Sequence, residues 1–139
     1  MESIIGKEFP AKVIPLIDAC KKSLKIIVFD WRWYPNDPAN PVQLFNQAII
    51  RASRRGVCVE VVTNFADVVN LLNREGCKAV KPITKNLIHA KMMIIDGELL
   101  ILGSHNYTQS AFTMNYEVSV LFNDKPTIDN FLTFFNSFI

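Results

Sequence analysis

Apolar positions fall in short blocks along this chain, and their spacing switches between helical and extended. Val13, Ile14, Leu16, Ile17 and Cys20 recur at near-helical intervals and predict an amphipathic helix over residues 11–23. Lys25 to Trp31 (KIIVFDW) is a β-branched and aromatic run of strand length. Asn36, Pro38, Asn40 and Pro41 then mark a loop, and Pro41 suits the first position of a helix that places Leu44, Phe45, Ala48 and Ile49 inward and stops at Gly56. Val57 to Thr63 predicts a second strand. A helix of about ten residues follows through Val68, Leu71 and Leu72, ending at Gly76. Residues 77–80 are expected to form a short strand before Pro82, and Leu87 to Ile95 and Leu99 to Leu102 are predicted to be two strands joined by an Asp96-Gly97 hairpin turn. A short helix from about Tyr107, a strand over 117–122 and a closing helix from about Thr127 complete the reading. Strands alternating with helices predict one α/β domain over residues 1–139, an α/β/α sandwich with a mixed central sheet. The order of the strands does not follow from the pattern.

Composition narrows the classes. With 139 residues, 50% hydrophobic and 20% charged, the chain is too apolar for disorder and long enough to bury a core. Charges interrupt every apolar run before it could span a bilayer, and Met1 to Pro10 has no apolar export segment, so a cytoplasmic location is expected, although a trimmed exported precursor would read the same. Cys20, Cys58 and Cys77 are odd in number and contain no CxxC pair, which predicts reduced, mostly buried thiols. His89 and His105 are the whole imidazole supply.

Charge is uneven. Residues 76–95 carry Lys78, Lys81, Lys85 and Lys91 with no acid, whereas residues 101–139 sum to −2. Positive charge thus surrounds His89, as a phosphodiester chain requires; a solvated lysine edge would look alike. Arg51, Arg54 and Arg55 lie at a helix end, where the helix dipole accounts for them. Trp31, Arg32, Trp33 and Tyr34 could stack on unpaired bases or pack against the body of the protein. Phe131, Phe134, Phe135 and Phe138 recur at core spacing in the last helix.

Candidate chemistry concentrates in residues 88–117. His89 and Lys91 lie two apart on an expected strand, on one face, a pairing of imidazole and ammonium that suits a phosphate. Gly103 and Ser104 close the next strand, Asn106 offers an amide donor, and Asn106 or Thr108 can cap the following helix. Glu117 opens a later strand and could hold one imidazole nitrogen. His89, Lys91, Asp96, Gly103, Ser104 and Asn106 fill the joint pattern H-x-K-x4-D-x6-G-S-x-N. Here the chain resembles the phospholipase D superfamily, whose hallmark is this HKD motif. The run from Asn106 to Glu117 is similar to the family's small nuclease branch, and Arg55-Gly56-Val57-x-Val59 is similar to the segment feeding its second strand.

The resemblance implies a mechanism. Two HKD motifs face each other in the family, so a chain with one motif implies a homodimer with its site on the twofold axis. His89 of one subunit would attack phosphorus and His89 of the other would protonate the leaving oxygen. Lys91 and Asn106 would hold the phosphoryl oxygens, Ser104 would add a hydrogen bond, and Glu117 would orient His89. Asp96 and Gly103 are expected to be structural, Lys81, Lys85, Trp31, Arg32 and Trp33 to contact substrate, and His105 to be a bystander. No metal and no cofactor are expected. The implied activity is a metal-independent nuclease, with single-stranded nucleic acid the easier substrate. The alternatives are a phospholipase or cardiolipin-type hydrolase and a catalytically silent nucleic-acid-binding module.

Overall fold

The computed structural model describes residues 1–139. Seven strands form one mixed sheet in the order β1-β7-β6-β5-β2-β3-β4. In chain order the elements are β1 (Glu2–Ile5), α1 (Glu8–Asp18), β2 (Ser23–Val28), α2 (Pro41–Arg54), β3 (Cys58–Thr63), α3 (Ala66–Arg74), β4 (Lys78–Val80), β5 (Met92–Ile95), β6 (Leu99–Gly103), α4 (Gln109–Thr113), β7 (Val118–Phe122) and α5 (Lys125–Asn136). β2, β3 and β4 run parallel, and β5, β6, β7 and β1 continue the sheet antiparallel.

The central strands read as unbroken apolar runs because both faces are covered. Ile26, Val28, Met93 and Ile95 enter a core of 29 buried residues shared with α1 to α4, while Ile27, Met92, Ile94 and Leu100 enter a smaller core of eight under α5. That smaller core accounts for the last helix: Phe135 is buried and Phe131 and Phe138 are half-buried, but Phe134 stays exposed. No helix is long and apolar enough to cross a membrane.

Three boundaries depart from the sequence pattern. β1 went unrecognised because four residues with no period of their own become a strand only by pairing with β7. α1 begins at Glu8, where the pattern places its start at residue 11, and ends at Asp18. The strand expected from Leu87 starts at Met92, since its neighbours leave: β2 ends at Val28 and Ser104 N–H turns to the Val118 carbonyl.

Several sequence expectations hold. Asp96 (φ 54°) and Gly97 (φ 67°) both sit in the left-handed region, the geometry of a two-residue hairpin turn. Thr108 caps α4 by accepting from Ala111 N–H. The α2 arginines are structural: Arg51 pairs with Asp18 at 3.0 Å, Arg54 with Glu75 at 3.1 Å, and Arg55 donates to the Ile17 and Cys20 carbonyls. All three thiols are free, with Cys20 and Cys77 buried but Cys58 exposed.

Asp96 ties this hairpin to the start of β2. Its carboxylate accepts backbone N–H groups from Lys21, Lys22 and Ser23, the shortest at 2.6 Å, and lies 3.3 Å from Cys20 Sγ. Burial opposes the charge there, yet the N–H donations from Lys22, Ser23 and Lys21 hold the carboxyl below its ordinary value. Burial and the Asp96 charge push the Cys20 thiol up to about 11, so it is a poor nucleophile. Asp96→Ala should cost about 2–3 kcal/mol of unfolding free energy, since it orphans several donors together. A depressed folded pKa gives stability that is complete above the unfolded value, near 3.8, and lost as pH falls below it. Acid melts of the wild type and Asp96→Ala should therefore converge as pH drops through that range.

Candidate active site

The site gathers at one end of the central strands, where β2 and β3 end, β6 ends, and β5 and β7 begin. His89 and Lys91 sit on the segment entering β5. His89 is exposed and Lys91 half-buried. Though the segment is not a strand, the two still meet: Lys91 Nζ lies 3.0 Å from His89 Nδ1 and 3.4 Å from Nε2. The Phe29 ring packs against the imidazole at 4.8 Å between centroids. Asn64 Nδ2 donates to the Phe29 carbonyl at 2.9 Å and the Ile88 carbonyl at 3.4 Å, joining the ends of β2 and β3 to the segment that carries His89.

Burial lowers the Lys91 pKa below that of a free lysine, while the negative charge of Glu117 acts in the opposite sense. That coupling places Glu117 in the electrostatic reach of Lys91. The Glu117 carboxylate itself accepts from Ser104 Oγ at 2.7 Å and Asn115 Nδ2 at 3.1 Å. Within one chain it forms no hydrogen bond to His89. Ser104 Oγ also accepts from Val118 N–H at 3.0 Å, which fixes the hydroxyl between β6 and β7.

Asn106 is oriented by a single bond. The Asp30 backbone N–H donates to its Oδ1 at 3.1 Å, so the amide carbonyl faces the end of β2 and the NH2 group has no partner in the chain. Two free donors on a half-buried amide, with an ammonium and an imidazole at the same end of the central strands, can receive an anion. No three His, Cys, Asp or Glu side chains lie together in a way that could hold a metal ion.

The remaining candidates separate. Gly103 lacks a Cβ where one would overlap the Val118 carbonyl and Ser119, so β6 and β7 approach closely there. His105 is buried: its Nε2–H donates to the Gly6 carbonyl at 2.9 Å, Nδ1 accepts from Ser119 Oγ at 2.7 Å, and its ring stacks on Phe9. Lys78 lies 3.9 Å from Glu60, whereas Lys81 and Lys85 are exposed without an ion pair. Lys85 shares a hollow with His89, Leu87, Phe134 and Phe138. Trp31 is buried, with Nε1 donating to Asn46 Oδ1 at 2.6 Å, so the substrate contact expected of its ring is not available in this arrangement. Arg32 is exposed and Trp33 half-buried.

Sequence reasoning missed Phe29, Asp30, Asn64 and Asn115, which position the site residues. The first three follow the last residues of two parallel strands, where open α/β sheets place their ligands, and that rule was the available signal.

A family model described as "Cardiolipin synthase, PLD-like domain" matches residues 13–139. A probable phospholipase D of Caenorhabditis elegans is 29% identical over 129 residues, covering 83% of this chain, which spans 23% of that relative. NucT from Helicobacter pylori has a similar structure, with a TM-score of 0.79, 20% identity, and coverage of 99% of this chain and 93% of its own. Nuc from Salmonella typhimurium, a phospholipase D family member, gives a TM-score of 0.81 at 21% identity, covering 98% and 92%. At those identities the likeness establishes the fold.

Proposed function

The chain belongs to the phospholipase D-like domain family, and from that membership we propose that it is a phosphodiesterase cleaving nucleic acid without a metal, through a phosphohistidine on His89 in a site shared by two copies. One observation carries this reading: a single accessible imidazole stands beside an ammonium, and a free amide lies at the same end of the central strands. The small-nuclease pattern of Asn106 to Glu117 and the near whole-length match to Nuc and NucT support nucleic acid over lipid.

The chemistry proceeds in two displacements. A nitrogen of His89 attacks phosphorus, and the bond from phosphorus to the leaving sugar oxygen breaks as His89 of the partner subunit gives that oxygen a proton. The partner's His89 then takes a proton from water, whose oxygen attacks phosphorus and releases the nitrogen. Lys91 and the Asn106 amide donate to the phosphoryl oxygens, whose charge grows in each transition state. His105 is buried between Gly6 and Ser119, which supports drawing the acid from His89 of the partner subunit. Apolar Met114, Tyr116 and Val118 are exposed around Glu117, a surface that suits a second copy.

Labelled single-stranded DNA in EDTA tests the reading. Cleavage by a protein that light scattering shows to be dimeric supports it; an inactive dimer, or an active monomer, counts against it. The pH profile offers a further check. Glu117 favours the charged form of Lys91, so Glu117→Gln removes that support and the alkaline limb of kcat should move to lower pH.

One observation favours a lipid phosphodiester instead: Ile83 and Leu87 are exposed on either side of Lys85, next to the His89 hollow, as in a loop that enters a bilayer surface. Flotation with anionic vesicles and release of headgroup, without nucleic acid cleavage, would establish that reading.

A further inference from the structure

We propose that the cleft between the β2 and β3 exits holds an unpaired nucleobase of the substrate strand, stacked between Trp33 and the Arg32–Phe65 pair; this rests on the nucleic-acid reading above. The cleft measures about 350 Å3 and is lined by Trp31, Arg32, Trp33, Phe65, Asp67 and Leu71 among others. Its floor is rigid, since Trp31 is buried and anchored through Asn46. Its rim offers flat faces. The Arg32 guanidinium carbon lies 4.1 Å from the Phe65 ring centroid, and Arg32 Nε donates to Asp30 Oδ1 at 2.7 Å, which pins the guanidinium plane. Trp33 and Phe65 are half-buried, so each retains an accessible surface.

The cleft and the phosphate ligands are held by the same residues. Asp30 carries the N–H that orients Asn106 and the carboxylate that pins Arg32. Asn64, which ties the His89 segment to β2, precedes Phe65 directly. A phosphate at His89 therefore has an aromatic cleft beside it, built on neighbouring residues of the same two strand ends.

The chemistry of the walls selects the occupant. An acyl chain gains nothing from an exposed guanidinium or from the Asp67 carboxylate at the rim. A heterocyclic base stacks on aromatic and guanidinium planes and has donors and acceptors in its own plane for the edge of the cleft. A base paired in a duplex has both faces covered by its neighbours, so occupancy favours single strands.

The test is a cycle between protein and substrate. Single-stranded oligonucleotides with one abasic position, moved stepwise past the cut site, are compared with the intact strand for the wild type and for Trp33→Ala. Thermal melting confirms that the variant is folded, and Phe65→Leu serves as a second, better-packed variant. In the wild type one abasic position should raise KM roughly 5- to 100-fold, the worth of one base–aromatic stack. In Trp33→Ala the intact strand should show that increase already, with little added by the same abasic position. Equal abasic penalties in wild type and both variants would overturn the assignment while leaving the nuclease reading intact. Wild-type hydrolysis of bis(4-nitrophenyl) phosphate, without cleavage of any nucleic acid, would overturn the nuclease reading and this assignment with it.

Discussion

His89→Ala should reduce kcat for phosphodiester cleavage by roughly 10^4- to 10^6-fold, the scale on which removal of a covalent nucleophile acts in other enzymes. The loss should be this large because in a shared site one substitution deletes two functions, the attacking nitrogen and the proton donor from the second copy. His105 cannot substitute, being buried with both ring nitrogens engaged. The effect should be confined to catalysis. His89 is exposed, and its contacts are the Lys91 ammonium and the face of Phe29, so its removal opens no core cavity. Binding of single-stranded DNA, read by fluorescence anisotropy, should fall by less than about tenfold, since the proposed phosphate contacts of Lys91, Lys81, Lys85 and Asn106 are left in place. Steady-state kinetics and anisotropy on one preparation separate the two quantities. Matched losses in both would argue that His89 acts through folding or binding.

The second large effect is on stability. Gly103→Ala should lower unfolding free energy by about 3 kcal/mol, because the added methyl group overlaps the Val118 carbonyl and Ser119 across the β6–β7 pair. Neither neighbour can give easily. The Val118 carbonyl is backbone that accepts from Ser104 N–H, and Ser119 Oγ is hydrogen-bonded to His105. A shift of β7 would also carry Glu117 away from Ser104, so activity should drop even below the melting temperature. Urea unfolding followed by circular dichroism measures the first effect, and the change in kcat at a temperature where the variant is fully folded measures the second. A variant as stable as the wild type would mean that β6 and β7 separate without cost.

Much of this was legible in the amino-acid pattern, for different reasons in different places. The Asp96-Gly97 turn and the helix stop at Gly56 are local, set by backbone conformations that few residues adopt. β1 is non-local: Glu2–Ile5 has no recognisable period and exists through its pairing with β7. His89, Lys91, Asp96, Gly103, Ser104 and Asn106 could be named through the family resemblance that their spacing carries. Their supports could not, since Asp30 orients Asn106 with a backbone N–H, which any residue but proline supplies. Glu117 shows the limit from the other side. Its residue type suggested a partner for His89, and the fold pairs it with Ser104 and Asn115. Trp31 and Trp33 looked equivalent in sequence, yet the indole nitrogen of the first is bonded to Asn46 inside the core while the second remains at the rim of the cleft.

The central claim is that cleavage passes through a covalent bond between phosphorus and His89. The stereochemical course at phosphorus tests it most directly, using a single-stranded substrate with one phosphorothioate of known configuration, cleaved in isotopically labelled water. Two successive in-line displacements each invert the centre, so a histidine intermediate predicts net retention. Net inversion would mean that water attacks phosphorus in one step, and would contradict the account.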